Sequence, residues 1–267
     1  MGANHPRAAS SSRPHPACVI LPTYPDSASL LQLMSDSRAS LVWLFDVDGT
    51  LLLTKGAGRE AMSLAFQDLF GIEDDLTSIP FAGRTDAVIL GDMLAKHRLE
   101  LRDGERERYW DRVVTRMRTL MDPPRGGLLA GVPALLDTIG AEPGWVRALL
   151  TGNVAGMARI KLEAFGMYGA FAWGAFGDEA PNRNELAKLA VRRAAERHGV
   201  PPERCVVVGD TEYDIACARA AGAKAVAVAT GGTTKQALEA FAPDLLMDDL
   251  RDPERILTWI RRETRVD

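Results

Sequence analysis

Asp46 and Asp48 stand two positions apart at the end of an apolar run, Leu41 to Phe45, and are followed directly by Gly49 and Thr50. The run is short, continuous and rich in β-branched or aromatic residues, which predicts a strand buried on both faces of a parallel sheet. Ligands of open α/β sheets bind beyond the carboxyl ends of the strands, so both side chains should emerge into the crevice. Alternation at the strand end sends them to the same side. Two such carboxylates repel unless a shared proton or a cation compensates, and a hard divalent cation such as Mg2+ is the natural oxygen-bound partner. The chemistry suggested is phosphoryl transfer. An isolated Asp-x-Asp-Gly also occurs as a plain acidic turn, so its context decides.

Three later segments supply that context. Trp145 to Leu150 reads as a strand and ends in Thr151-Gly152-Asn153, which can offer a hydroxyl, an approachable backbone N–H and an amide to a phosphate. A Thr or Asn cap for a helix beginning near Val154 explains the same residues. Arg204 to Val208 reads as another strand and runs into Gly209-Asp210-Thr211-Glu212-Tyr213-Asp214. Asp210 and Asp214 then lie about one helical turn apart, where they can ligate a metal or hold its water; a capped surface helix is the plainer alternative. Asn182 and Glu185 form a capping-box-like pair that puts Arg183 in the first turn of a helix, where the dipole disfavours a cation. Neutralising a nucleophile and a phosphate would hold it there, and a solvated surface arginine is the alternative. Lys188 and then Lys161 are the other cations considered, each further inside a predicted helix.

In this order the segments resemble the signatures of the haloacid dehalogenase superfamily in its phosphatase form: DxDGT at Asp46 to Thr50, a terminal Thr at Thr151, and GDxxxD at Gly209 to Asp214. The third signature departs, because the usual Lys-Pro is missing and Asn182-Arg183-Asn184-Glu185 stands near its place. The resemblance covers residues 41 to 250. It implies an α/β fold with a doubly wound parallel sheet, a Rossmann-like core, and an inserted α-helical cap. It also implies Asp46 as nucleophile, Asp48 as general acid and base, and a phosphate cradle of Thr151, Gly152, Asn153 and Arg183. Mg2+ would be held by Asp46, Asp48 through its backbone carbonyl, Asp210 and Asp214.

The elements that must position these groups can be read in outline. Arg59 to Phe70, Asp86 to Leu94 and Glu105 to Leu120 carry apolar residues at helical spacing, the last with arginines on its outer face that read as solvated. Their place between the first two signatures resembles the cap of the phosphoglycolate phosphatase-like branch. The expected organisation is a core of 41–54 and 127–267 with a cap at 55–126. Arg84, in Gly83-Arg84-Thr85-Asp86, is a candidate for gripping a second anionic group of the substrate; alternatively Thr85 or Asp86 caps the next helix and Arg84 is simply exposed. Further strands are expected at Ala170 to Ala175, Ala223 to Ala229 and Asp244 to Met247.

Residues 1 to about 40 differ in kind. Pro and Ser are frequent and no apolar period is present, which predicts disorder without the h-region of a signal peptide. Met34 is a plausible alternative start. The 267 residues, 46% hydrophobic, suffice for a large core, and the net charge of −4 argues against a nucleic-acid surface. Cys18, Cys205 and Cys217 lack metal spacing and read as reduced thiols of a cytoplasmic protein. No apolar run reaches the roughly 18 to 20 residues of a membrane span.

The function expected is Mg2+-dependent hydrolysis of a small phosphorylated metabolite by a monomer or homodimer. Two other readings are a phosphosugar mutase of the β-phosphoglucomutase type, whose cap must exclude water, and a non-catalytic binding protein on the same fold. The second would be expected to lose Asp46, Asp48 or Asp210, and all three are present.

Overall fold

Leu41–Phe45 forms β1, and every one of its side chains is buried. It lies at the centre of a six-stranded, all-parallel sheet together with β4 (Trp145–Leu150), β5 (Trp173–Ala175), β6 (Cys205–Gly209), β7 (Lys224–Val228) and β8 (Leu245–Met247), in the order β5-β4-β1-β6-β7-β8. The computed structural model describes residues 1–2 and 40–264. The expectations for the tail, Met34 and Cys18 fall outside the described residues.

Register brings the ends of the central strands level. Phe45 pairs with Leu149 of β4 and with Val208 of β6, so the residues that follow these three strands leave the same edge of the sheet. Alternation along β1 divides the core: Trp43 and Phe45 pack with Val132, Leu136, Ile256 and Trp259 on one face, whereas Val42 and Leu44 pack with Leu186, Ala190, Ile215 and Ala218 on the other. The first face is covered by α4 (Val132–Ala141) and α9 (Pro253–Glu263), the second by α6 (Arg183–His198), α7 (Glu212–Ala220) and α8 (Lys235–Ala240).

The chain leaves the sheet at β2 (Leu52–Leu53) and returns at β3 (Gly127–Leu128), and these two short strands pair antiparallel. Between them lie α1 (Ala57–Phe70), α2 (Asp86–His97) and α3 (Glu105–Leu120). Each follows its apolar period. Tyr109, Val113 and Met117 of α3, four residues apart, are buried against Ala61, Met62, Ala65 and Phe66 of α1, and the Tyr109 hydroxyl donates to the Met62 carbonyl at 3.1 Å. This third core also takes in Val154, Met157 and Ile160, at and within α5 (Ala155–Glu163). The helical layer is therefore packed on the helix that follows β4.

Several expected boundaries shift by one to three residues, two of them at 3-10 turns. β5 begins at Trp173 instead of Ala170, because Tyr168–Ala170 winds into a 3-10 turn closed by the Phe171 amide on the Tyr168 carbonyl. Arg204 likewise belongs to a 3-10 turn, Pro202–Arg204, and β6 starts one residue later and includes Gly209. Cys205 and Cys217 are both free and buried, and burial pushes each thiol up to about 12.

Candidate active site

Asp46 follows β1, and its amide continues the ladder by donating to the Val208 carbonyl at 3.0 Å. Its carboxylate is buried. Arg183, the first residue of α6, reaches it from the neighbouring element, with Nη2 3.2 Å from Asp46 Oδ1. The same nitrogen donates to Asp214 Oδ1. Arg183 is 7% exposed, so the solvated-surface alternative does not describe it. Asn182 does cap α6, its Oδ1 accepting from the Glu185 amide at 3.0 Å, while Glu185 instead accepts from Lys188 Nζ at 2.7 Å on the surface. Lys188 is thus removed from the site, because its position on α6 faces solvent.

Asp46, Asp210 and Asp214 bring carboxylate oxygens within 4.8 Å of one another. Asp210, just past β6, accepts from Thr50 Oγ1 at 3.0 Å. Asp214 Oδ2 accepts from the Thr211 amide at 3.0 Å and its hydroxyl at 2.7 Å, which closes a capping box at the start of α7. Helix capping and cluster membership therefore coexist in one side chain. Burial, with the neighbouring carboxylates, pushes the Asp46 and Asp210 carboxyls up, and Arg183 only partly offsets this. Three buried acids facing one guanidinium, offering only oxygen donors, make a set that a hard divalent cation fits. Gly49, at φ 86°, lets the backbone approach: a Cβ there would lie 2.4 Å from Asp210 Oδ2.

Asp48 lines the same cavity as Asp46 but has different partners. Its Oδ2 accepts from Asn153 Nδ2 at 2.7 Å and from Lys161 Nζ at 2.5 Å. The side chain lies outside the three-acid group, which leaves its backbone carbonyl for any role at a metal. Lys161 also donates to Asn153 Oδ1 and is 3% exposed. It was the last-ranked cation from sequence, yet it turns inward from α5 to the site, and no local signal marks this.

Thr151, Gly152 and Asn153 are all buried at the end of β4. Asn153 Nδ2 and its amide both donate to Thr151 Oγ1, at 2.9 and 3.3 Å. Neither side chain caps α5, whose N-cap is Val154. The Val154 amide donates instead to Asp86 Oδ2 at 2.9 Å, and the Asp86 amide donates to the Gly152 carbonyl at 2.7 Å. Asp86 is thus more than the start of α2: it ties the helical layer to the β4 loop. Burial pushes its carboxyl up to about 7, although Lys161 opposes the shift. Gly152 is required by the same contact, since a Cβ would lie 2.1 Å from the Arg84 carbonyl oxygen.

Arg84 lines the cavity, but Nη1 stands 2.5 Å from Asp92 Oδ2 and 3.3 Å from the Pro80 carbonyl. Its guanidinium is engaged within the helical layer and is not a free anion grip. Thr85, as the alternative expected, caps α2 by accepting from the Val88 amide at 3.3 Å. Sequence reasoning missed Thr50 and Asp86. Thr50 stood within the first signature itself, whereas Asp86 looked like an ordinary acid in the first turn of a helix.

The HAD-hydrolase-like family model matches residues 184–253. A phosphoglycolate phosphatase from Agrobacterium fabrum is 27% identical over 219 residues, 81% of this chain and 91% of that protein. The phosphoglycolate phosphatase of Escherichia coli K12 is 29% identical over 122 residues, 45% of this chain, and the match spans about half of that protein, 48%. Among solved structures, CbbY from Rhodobacter sphaeroides in complex with phosphate superposes with a TM-score of 0.63 at 22% identity, over 80% of this chain and 96% of that one. No helix among the described residues is long and apolar enough to cross a membrane. With the six-stranded parallel sheet and the order of its signatures, these matches support a haloacid dehalogenase-like hydrolase similar to the phosphoglycolate phosphatases.

Proposed function

We propose that the chain is a Mg2+-dependent phosphoric monoester hydrolase that acts on a small phosphorylated metabolite through an aspartyl-phosphate on Asp46. The observation that carries this reading is the Arg183 guanidinium 3.2 Å from Asp46, beside two further buried carboxylates. A carboxylate so placed stays available as a nucleophile only if its negative charge is balanced, and Arg183 with a cation would balance it. Asp46 attacks phosphorus in line as the leaving oxygen departs. Asp48, in the same cavity, gives that oxygen a proton and later takes one from the attacking water. Asn153 and Lys161 hold Asp48 in place for both steps, while the Thr151 hydroxyl and the Gly152 amide receive the phosphoryl oxygens.

Asp46, Asp210 and the Asp48 backbone carbonyl would hold Mg2+, with Asp214 ligating directly or through a water. Bound there, the ion would neutralise the negative charge of the transferring group. Residues 55–126 serve as the cap over a core of 41–54 and 127–267; the paired stem of β2 and β3 and the separate apolar core of α1, α2 and α3 support this division.

Incubating the purified chain with a panel of phosphomonoesters, with and without Mg2+, tests the reading. The expected result is inorganic phosphate released only with the metal and only when Asp46 is intact. Return of the phosphoryl group to a second hydroxyl of a sugar phosphate would identify a mutase instead.

A further inference from the structure

The cavity holding Asp46 and Asp48 has a volume of about 540 Å³, within the usual range for small-molecule sites and more than a phosphoryl group occupies. Its helical side presents two guanidiniums, those of Arg59 and Arg84. Arg84 is committed to Asp92. Arg59 has no hydrogen-bond or ion-pair partner among the described residues; its guanidinium carbon lies 4.8 Å from the centre of the Phe81 ring. Stacking on an aromatic face fixes the plane of the fork while leaving its N–H edge unused. The acid beside it on α1, Glu60, is taken by Arg125 Nη1 at 2.7 Å.

Arg59 is also the third residue of α1, where the helix dipole disfavours a cation. The same paradox applies to Arg183, and there it is resolved by Asp46 and Asp214. At Arg59 no anion among the described residues resolves it. A half-buried arginine whose guanidinium lies over the Phe81 ring, and which lines the cavity that also holds Asp46 and Asp48, suits a planar or tetrahedral anion bound by two parallel N–H bonds.

We propose that Arg59 is a specificity-determining residue that binds a second acidic group of the substrate. The phosphomonoesters preferred therefore carry a carboxylate or a further phosphate a few bonds from the ester. This rests on the phosphatase reading above, and it moves the anion grip from Arg84, where sequence placed it, to Arg59.

The test compares 2-phosphoglycolate with ethyl phosphate, which lacks the carboxylate. Wild-type protein should favour the acidic ester, and Arg59→Gln should lower the ratio of the two kcat/KM values at least tenfold, with partial recovery in Arg59→Lys. A ratio within twofold of wild type in Arg59→Gln, or a collapse seen in Arg84→Gln instead, overturns the proposal. If wild-type protein hydrolyses neither these esters nor any other member of the phosphomonoester panel, the phosphatase reading fails, and the subsite is judged by calorimetric binding of 2-phosphoglycolate. Weaker binding by Arg59→Gln then upholds the subsite, and equal binding overturns it.

Discussion

Lys161 Nζ stands 2.5 Å from Asp48 Oδ2, across 113 positions of sequence, in a pair whose cation is buried and whose anion faces the cavity. The geometry gives Lys161 a positioning task, because the Asp48 carboxylate is held by this ammonium and by Asn153 and by no other hydrogen bond among the described residues. Lys161→Ala should lower kcat by about 10²-fold, the scale of a misplaced general acid. Lys188→Ala, whose ammonium meets Glu185 on the surface, should stay within twofold of wild type. Steady-state rates on any turned-over phosphomonoester check both, and equal rates for the two variants would return Lys161 to a packing role.

Removing Arg183 should affect chemistry and folding together. Arg183→Ala should cut kcat/KM by roughly 10²-fold or more, as expected when a charged stabiliser of the transition state is lost, with partial recovery in Arg183→Lys, which restores charge without the fork. It also leaves Asp46 and Asp214 without their buried partner, a change that typically costs about 3–5 kcal/mol. Chemical denaturation in EDTA should show that loss, and Mg2+ should offset more of it in the variant than in wild type. A silent variant in both assays would mean that the guanidinium balances nothing.

The crowding of Asp46, Asp210 and Asp214 makes metal binding visible without turnover. Mg2+ at about a hundredfold excess over its Kd should stabilise the native state by roughly 2.7 kcal/mol, read as a rise in Tm. Asp210→Asn should blunt the response to Mg2+, and in EDTA it should raise Tm only above about pH 8, where the Asp210 carboxyl, pushed up to about 8 by burial and its acidic neighbours, ionises beside Asp46 and Asp214. If thermal unfolding of wild type is indifferent to Mg2+, Mn2+ and EDTA alike, the three acids are not a cation site.

What could be read from sequence follows from the range of the forces involved. β1 was legible to the residue because a strand buried on both faces leaves a continuous apolar run, β4 was legible although Arg147 interrupts its run, and Arg183 stood out because a cation opposed the dipole of its own helix. Both signals are local. The pairing of Arg84 with Asp92, the inward turn of Lys161 and the bond from Val154 to Asp86 depend on elements 8, 113 and 68 positions apart. A lysine inside an amphipathic helix looks the same whether it faces water or an aspartate, so only the packed structure separates the two.

The last relationship to test is the tie between the helical layer and the β4 loop through Asp86. Its carboxylate accepts the Val154 amide, yet burial lifts its pKa to about 7, with Lys161 opposing, against about 3.9 in an unfolded chain. Between those values the native state holds more protons than the unfolded state, so this residue makes stability fall as pH rises from about 4 to 7 and leaves it level above. Asp86→Asn keeps an acceptor for Val154 and cannot ionise. Urea unfolding in EDTA at pH 4.5, 6 and 8 should therefore show the variant gaining on wild type with rising pH, by about 3 kcal/mol across the window. Subtracting one curve from the other cancels the titration of the Asp46 cluster, which both proteins share. Parallel curves would mean that Asp86 stays ionised at the interface throughout, held by Lys161 more firmly than burial opposes it.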